Sequence, residues 1–141
     1  MSAVLLDTCA VIWAFEGMAL EPKAKRAIEA AERAGALWLS PVTAWEIGLL
    51  ARAKGTRGPR LQFVPSAQSF VDRVFADPAV QVAPLTPDIA FAACNLPGTF
   101  HNDPADRFLL ATARALNVPI VTRDEEMEAY AAAGHVKMIR C

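Results

Sequence analysis

No stretch of this sequence is apolar for long enough to cross a membrane. The longest candidate, Val42 to Ala51, is interrupted by Glu46 and falls well short of the ~18–20 residues that a spanning helix needs. No basic leader precedes the short apolar start Met1 to Leu6, so no secretory signal is expected. Cysteine is scarce: Cys9, Cys94 and Cys141 are odd in number and far apart. That excludes a cysteine metal motif or a disulfide framework and points to a reduced, cytoplasmic protein. The net charge of −1 gives no global attraction for a polyanion. Internal repeats and low-complexity linkers are also missing, and 141 residues suit one domain, residues 1–141, able to bury a core.

What the chain does have is apolar surface, with 54% hydrophobic residues. Such a load suits a sheet buried on both faces, together with apolar surface left for a partner. Short apolar runs alternate with helical patterns. Strands are expected at Val4–Leu6, Leu37–Leu39, Val80–Ala83, Pro119–Val121 and Val136–Ile139. Helices are expected at Leu20–Ala34, Pro41–Lys54, Ser66–Ala76, Pro87–Asn95, Pro104–Asn117 and Glu125–Ala133. This alternation predicts an α/β fold with a central, mostly parallel sheet of about five strands flanked by helices. Ser40-Pro41, Thr86-Pro87 and Asp103-Pro104 each put a capping side chain before a proline at the first helical position. Thr122 followed by Glu125 reads as a capping box.

Charge is distributed unevenly. Between Ile47 and Val71 there are four basic residues, Arg52, Lys54, Arg57 and Arg60, and no acidic one. A local basic loop can contact phosphates even in a nearly neutral chain; the plain alternative is a solvated surface loop. The acids fall at element ends: Asp7 after the first strand, Glu46 near the second turn of an apolar helix, Asp103 and Asp106 at a helix start, Asp124 past a late strand. In a parallel sheet these positions converge at the carboxyl edge, where ligands bind. Carboxylates gathered there repel one another and call for a cation, and hard oxygen donors suit Mg²⁺ or Mn²⁺. Each acid also has a plainer reading, as an N-cap or a first-turn dipole partner for Asp7, Asp103, Asp106 and Asp124. Glu46 is harder to dismiss, because a carboxylate within an apolar helix is expensive to bury without a partner.

Four blocks carry a resemblance: Val4-Leu5-Leu6-Asp7-Thr8, Ser40 to Ile47, His101 to Ala113, and Val121-Thr122-Arg123-Asp124. In order and spacing they resemble PIN-domain proteins, and more closely VapC-type toxins. The resemblance implies a metal-dependent endoribonuclease, the toxin of a toxin–antitoxin pair, acting on RNA, inhibited by an antitoxin and forming a homodimer. It implies that Asp7, Glu46, Asp106 and Asp124 hold Mg²⁺ or Mn²⁺, with Asp103 either joining them or only capping. Thr8, Thr43 and Thr122 stand beside these acids as candidates to hydrogen-bond them. Arg107 and Arg123 are candidates to hold the scissile phosphate or balance the acidic charge. His101 is expected to be a loop histidine without catalytic duty, the alternative being a general acid, and Trp13, Trp38 and Trp45 to pack in the core or an interface, the alternative being stacking on RNA bases. Cys9-Ala10 departs from the family pattern after Asp7-Thr8 but leaves the acids intact. Two alternatives stand: a non-catalytic PIN-like nucleic-acid-binding module, and a Mg²⁺-dependent phosphatase or phosphotransfer domain. Against the phosphatase, Asp7-Thr8-Cys9 lacks a second aspartate two residues on, and no lysine follows the late strands.

Overall fold

Residues 2–141 are described by a computed structural model. The chain runs β1 (Val4–Leu6), α1 (Thr8–Phe15), α2 (Pro22–Ala34), β2 (Leu37–Leu39), α3 (Pro41–Ala51), α4 (Ala67–Ala76) and β3 (Val80–Val82). It continues through α5 (Pro87–Cys94), α6 (Pro104–Leu116), β4 (Ile120–Thr122), α7 (Glu125–Ala132) and β5 (Met138–Arg140). The strands form one sheet in the order β3-β2-β1-β4-β5, and every pairing is parallel. No helix among the described residues is long and apolar enough to cross a membrane.

The sheet is buried on both faces because the strands are continuous apolar runs whose side chains alternate in direction. Val4 and Leu6 enter one core with Leu37, Leu39 and Val121, while Leu5 and Ile120 enter the other. The first core is closed by α1, α2 and α4 through Val11, Ile28 and Val74. The second is closed by α6 and α7 through Leu109, Leu110, Met127 and Tyr130. Helix α5 packs on α6 through Ile89, Ala93 and Ala111.

The strand order places the site. From β1 the chain steps outward to β2 and β3, then returns across β1 to β4 and β5. The direction of winding therefore reverses between β1 and β4. The crevice beyond their carboxyl ends is where ligands of open parallel sheets bind, and Asp7 and Asp124 stand at its two sides.

Several element ends differ from those expected. Helix α1 has no polar face, since Thr8 to Phe15 is apolar almost all round, so helical periodicity has nothing to mark. Helix α3 stops at Ala51 because Arg52 turns to extended backbone. The last strand lies at Met138–Arg140, starting two residues later and ending one residue later than expected. The Thr122–Glu125 capping box does not form: Asp124 caps α7, taking the N–H groups of Glu126 and Met127 at 2.7 and 3.2 Å. Thr122 belongs to β4 and is fully buried, which frees its hydroxyl for another task.

Leu5 sits in the middle strand with no exposed surface. Leu5→Ala is expected to cost about 2–5 kcal/mol, read as a lower urea midpoint at unchanged slope.

Candidate active site

The first acid is set by its own helix. Asp7 Oδ1 accepts the Ala10 N–H at 2.8 Å and caps α1, while Oδ2 accepts the Thr122 hydroxyl. Thr122 Oγ1 in turn accepts the Asp124 N–H at 3.0 Å, so one hydroxyl ties the ends of β1 and β4 together. Glu46, on the second turn of α3, accepts the Thr8 hydroxyl, and Thr8 and Thr43 hydroxyls lie 3.2 Å apart. Asp103 caps α6 by accepting the Asp106 N–H at 3.2 Å. Asp106 follows at the third helical position and faces the same cleft.

That cleft, about 280 Å³, is walled by Asp7, Glu46, Asp106 and Asp124, with Cys9 and Arg123 at its edge. The acids come from four segments spread along the chain. Asp103 stands apart, in an adjoining groove that it shares with Glu46. Thr8, Thr43 and Thr122 lie directly behind the carboxylates and are buried.

Electrostatics in the cleft disfavour ionised carboxylates. Burial pushes the Asp106 carboxyl up to about 7, with Asp103, Asp124, Glu46 and Asp7 adding to the rise. Asp7 is pushed up to about 6, chiefly by burial; the Thr122 and Ala10 hydrogen bonds oppose the rise, and Glu46 and Asp124 add to it. Glu46 is raised by burial and by Asp103, against the Thr8 hydrogen bond. Among the described residues no lysine or arginine forms an ion pair with any of these acids. The site is short of positive charge, and its donors are carboxylate oxygens, which is the chemistry that a hard divalent cation fits.

The two arginines separate. Arg107 follows Asp106 in sequence, but its guanidinium donates to the carbonyls of Ala93, Phe100, His101 and Cys94 at 2.7–3.3 Å. It fastens the 94–101 loop to α6. Arg123 does line the cleft: it stacks 3.8 Å over the Trp13 ring and donates from Nε to the Cys141 carbonyl at 2.8 Å. Its guanidinium is held at the rim without pairing to an acid.

Two more side chains stand beside the acids: His101, which the sequence placed near the site, and Glu126, which it did not single out. His101 Nε2 lies 2.6 Å from Glu126 and 3.4 Å from Asp106, and its Nδ1 accepts the Asp103 N–H at 3.2 Å. This pattern places the ring proton on Nε2. His101, Asp106 and Asp124 each bring a donor atom to within 4.8 Å of the others. Glu126 reaches the site from the first turn of α7. Nothing in the spacing of His101 or Glu126 shows that the loop before α6 meets α7.

The fold is an α/β protein with a parallel five-stranded sheet and a carboxylate cleft at its winding reversal, and the PIN domain family model matches residues 4–133. The chain belongs to the PIN-domain family. It is 30% identical to Ribonuclease VapC22 of Mycobacterium tuberculosis (strain ATCC 25618 / H37Rv) over 131 residues, which is 92% of this chain and 93% of that one. Its fold is similar to VapBC2 from Rickettsia felis, solved bound to a DNA fragment from their promoter, with a TM-score of 0.65 at 12% identity, covering 98% of both chains. It is also similar to FitAB bound to an IR36 DNA fragment, with a TM-score of 0.56 at 19% identity, covering 97% of this chain and 94% of that one.

Because Asp7 and Asp106 bind protons more tightly folded than unfolded, the folded chain holds more protons between about pH 4 and 7. Metal-free protein is therefore expected to melt at higher temperature as pH falls from 8 towards 5. Asp7→Asn removes the buried charge and keeps an acceptor for the Ala10 N–H, while its amide NH2 has to donate to the Thr122 hydroxyl instead of accepting from it, so it is expected to stabilise the metal-free protein at pH 8 by roughly 1–3 kcal/mol. Thermal melts of both proteins across that range, with EDTA present, check this; a wild-type melting temperature that falls on acidification would contradict it. Arg107→Lys is expected to lower the melting temperature nearly as much as Arg107→Ala, because an ammonium cannot reproduce the planar fork that reaches these carbonyls.

Proposed function

We propose that this protein is an endoribonuclease that hydrolyses RNA phosphodiester bonds with Mg²⁺ or Mn²⁺, and that it is the toxin of a toxin–antitoxin pair in the cytoplasm. The observation that carries this reading is the convergence of Asp7, Glu46, Asp106 and Asp124 in one cleft, with no lysine or arginine among the described residues paired to them. The 30% identity to a protein named Ribonuclease VapC22 supports it. Asp7 and Asp106 would be the direct ligands, with Glu46 and Asp124 ligating directly or through water. Asp103 has an oxygen left over from its capping bond, on the groove side. The bound ion supplies a more acidic water and offsets charge that grows on the phosphoryl oxygens.

The rest of the machinery is the chain's own. Thr122 bonds both the Asp7 carboxylate and the Asp124 backbone, so the acids that follow β1 and β4 are held in one register. Thr8 fixes the Glu46 carboxylate and Thr43 supports Thr8. Arg123, held flat on Trp13 at the rim, offers guanidinium N–H groups to an incoming phosphate without collapsing onto the acids. The basic residues Arg52, Lys54, Arg57 and Arg60 line the groove that adjoins the cleft through Glu46 and provide attraction for the RNA backbone. We further propose a homodimer and an antitoxin that covers the acidic cleft; the similar structures VapBC2 and FitAB are each solved bound to a DNA fragment.

Purified protein is expected to cut total RNA at discrete positions with Mg²⁺ or Mn²⁺ and to lose this with EDTA. Asp106→Asn is expected to reduce the rate by at least ~10²-fold, the scale of losing a group that acts on transition-state charge. Folded, antitoxin-free protein that binds Mn²⁺ yet cuts no RNA would leave a non-catalytic binding module. Cutting that persists in EDTA would remove the metal from the reaction.

A further inference from the structure

The acids of the cleft are not all held in the same way. Asp7 accepts the Thr122 hydroxyl and the Ala10 N–H, Glu46 accepts the Thr8 hydroxyl, and Asp124 accepts the Glu126 and Met127 N–H groups. Asp106 gives its backbone N–H to Asp103, but among the described residues neither a hydroxyl nor a backbone N–H reaches its carboxylate. A ring nitrogen stands there instead: His101 Nε2, 3.4 Å from Asp106 Oδ2. The same nitrogen lies 2.6 Å from Oε2 of Glu126, on the first turn of α7. Asp124, the N-cap of that helix, brings a carboxylate oxygen within 4.8 Å of both His101 and Asp106.

The His101 ring is built into the fold. Arg107 donates to the Phe100 and His101 carbonyls at 2.9 and 3.1 Å and so fixes the backbone from which the ring reaches. Nδ1 accepts the Asp103 N–H at 3.2 Å, which leaves the ring proton on Nε2. The ring packs on Phe100 with centroids 4.1 Å apart, and Phe100 meets the buried Tyr130 edge-on at 5.3 Å. Backbone, Nδ1 and ring face are each engaged. The remaining nitrogen is therefore aimed at the two carboxylates by the loop as a whole, between the first turns of α6 and α7.

We propose that His101 is a positioning residue of the metal centre, whose Nε2–H donates to Asp106 and Glu126 together and so holds the Asp106 carboxylate at a fixed orientation and a fixed distance from Asp124. This role rests on the metal-dependent reading above and adds a residue to it. A carboxylate that ligates a cation works best when its orientation is set by a hydrogen bond on the far side, and Asp106 has no other donor to set it. A neutral ring N–H takes one lone pair of a carboxylate and leaves the rest for an ion. A guanidinium or ammonium in the same place would pair with Asp106 and repel the cation. Because the ring also reaches Glu126, it sets the first turn of α7 against that of α6, as Thr122 sets β1 against β4. Arg107 acts at one remove, by pinning the carbonyls on either side of the ring's own backbone.

Two substitutions separate the two ring nitrogens. His101→Asn keeps an acceptor near the Nδ1 position and loses the donor at Nε2, whereas His101→Gln keeps an amide donor near the Nε2 position and loses the acceptor. Mn²⁺ binding to RNA-free protein is followed by the electron paramagnetic resonance of the free ion, and a melting curve in EDTA establishes that each variant is folded. His101→Asn is expected to weaken Mn²⁺ binding ~10–100-fold, the scale of losing a hydrogen bond to a ligand, and His101→Gln to retain most of the affinity. Nuclear magnetic resonance of ¹⁵N-labelled histidine in the Mg²⁺-loaded protein is expected to show His101 protonated on Nε2. His101→Asn that binds Mn²⁺ as tightly as wild type overturns the proposal. Equal weakening by both variants also overturns it and assigns the ring to packing of the loop. A proton on Nδ1 in the Mg²⁺-loaded protein overturns it too, and makes Nε2 a direct ligand. Wild type that binds no Mn²⁺ overturns the metal reading and this role with it, whereas variants that match a metal-binding wild type overturn this role alone.

Discussion

Mutual repulsion among carboxylates at the edge of a buried sheet is the constraint around which this structure is arranged. Asp7 is 7% exposed, and Asp106 is pushed up to about 7 by burial and by its acidic neighbours. A chain selected for stability alone would not gather these groups where the strands end, because each ionised carboxylate raises the cost of the next. The parallel sheet imposes the placement: the winding reversal between β1 and β4 opens a crevice, and whatever follows those strands must line it.

The helices stabilise an arrangement that the charges oppose. Asp7, Asp103 and Asp124 each give one oxygen to a helix N-terminus. Capping and ligation thus cease to be competing readings, since a carboxylate has two oxygens and the first turn of a helix engages only one. The helix N-termini also bring their partial positive charge towards the acids, which softens the repulsion by a fraction of a kcal/mol to ~1 kcal/mol each. Buried threonine hydroxyls do the remaining work of orientation. Thr122 is the clearest case: as a member of β4 it joins Asp7 to Asp124, a link between residues more than a hundred positions apart.

Positive charge is kept from pairing with the carboxylates and is concentrated beside them. Arg107 is committed to four carbonyls, Arg123 lies flat on Trp13, and the basic loop is folded back along α3. If any of these guanidinium groups reached the acids, it would occupy the place that a divalent cation fits. Segregation of the charges keeps the carboxylates available while giving a polyanion a path towards them.

Much of the architecture was legible because it depends on local chemistry. Two-sided burial makes Val4–Leu6, Leu37–Leu39 and Ile120–Val121 continuous apolar runs, and cap-proline pairs mark where α3, α5 and α6 begin. The acids announced themselves by standing at those ends, and Glu46 by interrupting an apolar helix. Helix α1 was harder to see because a helix that is apolar almost all round has no periodic contrast, and the capping box at Thr122 failed because a strand claimed that residue. What the tertiary structure alone decided was pairing across the chain: Thr122 with Asp7, His101 with Glu126 and Asp106, Arg107 with the 94–101 loop, and the basic hairpin with Trp45. Residue type and spacing carry the energies of capping, burial and strand formation, which act over a few positions. Which side chains meet at the crevice depends on strand order and on how loops fold back, and those follow from packing the whole sheet at once.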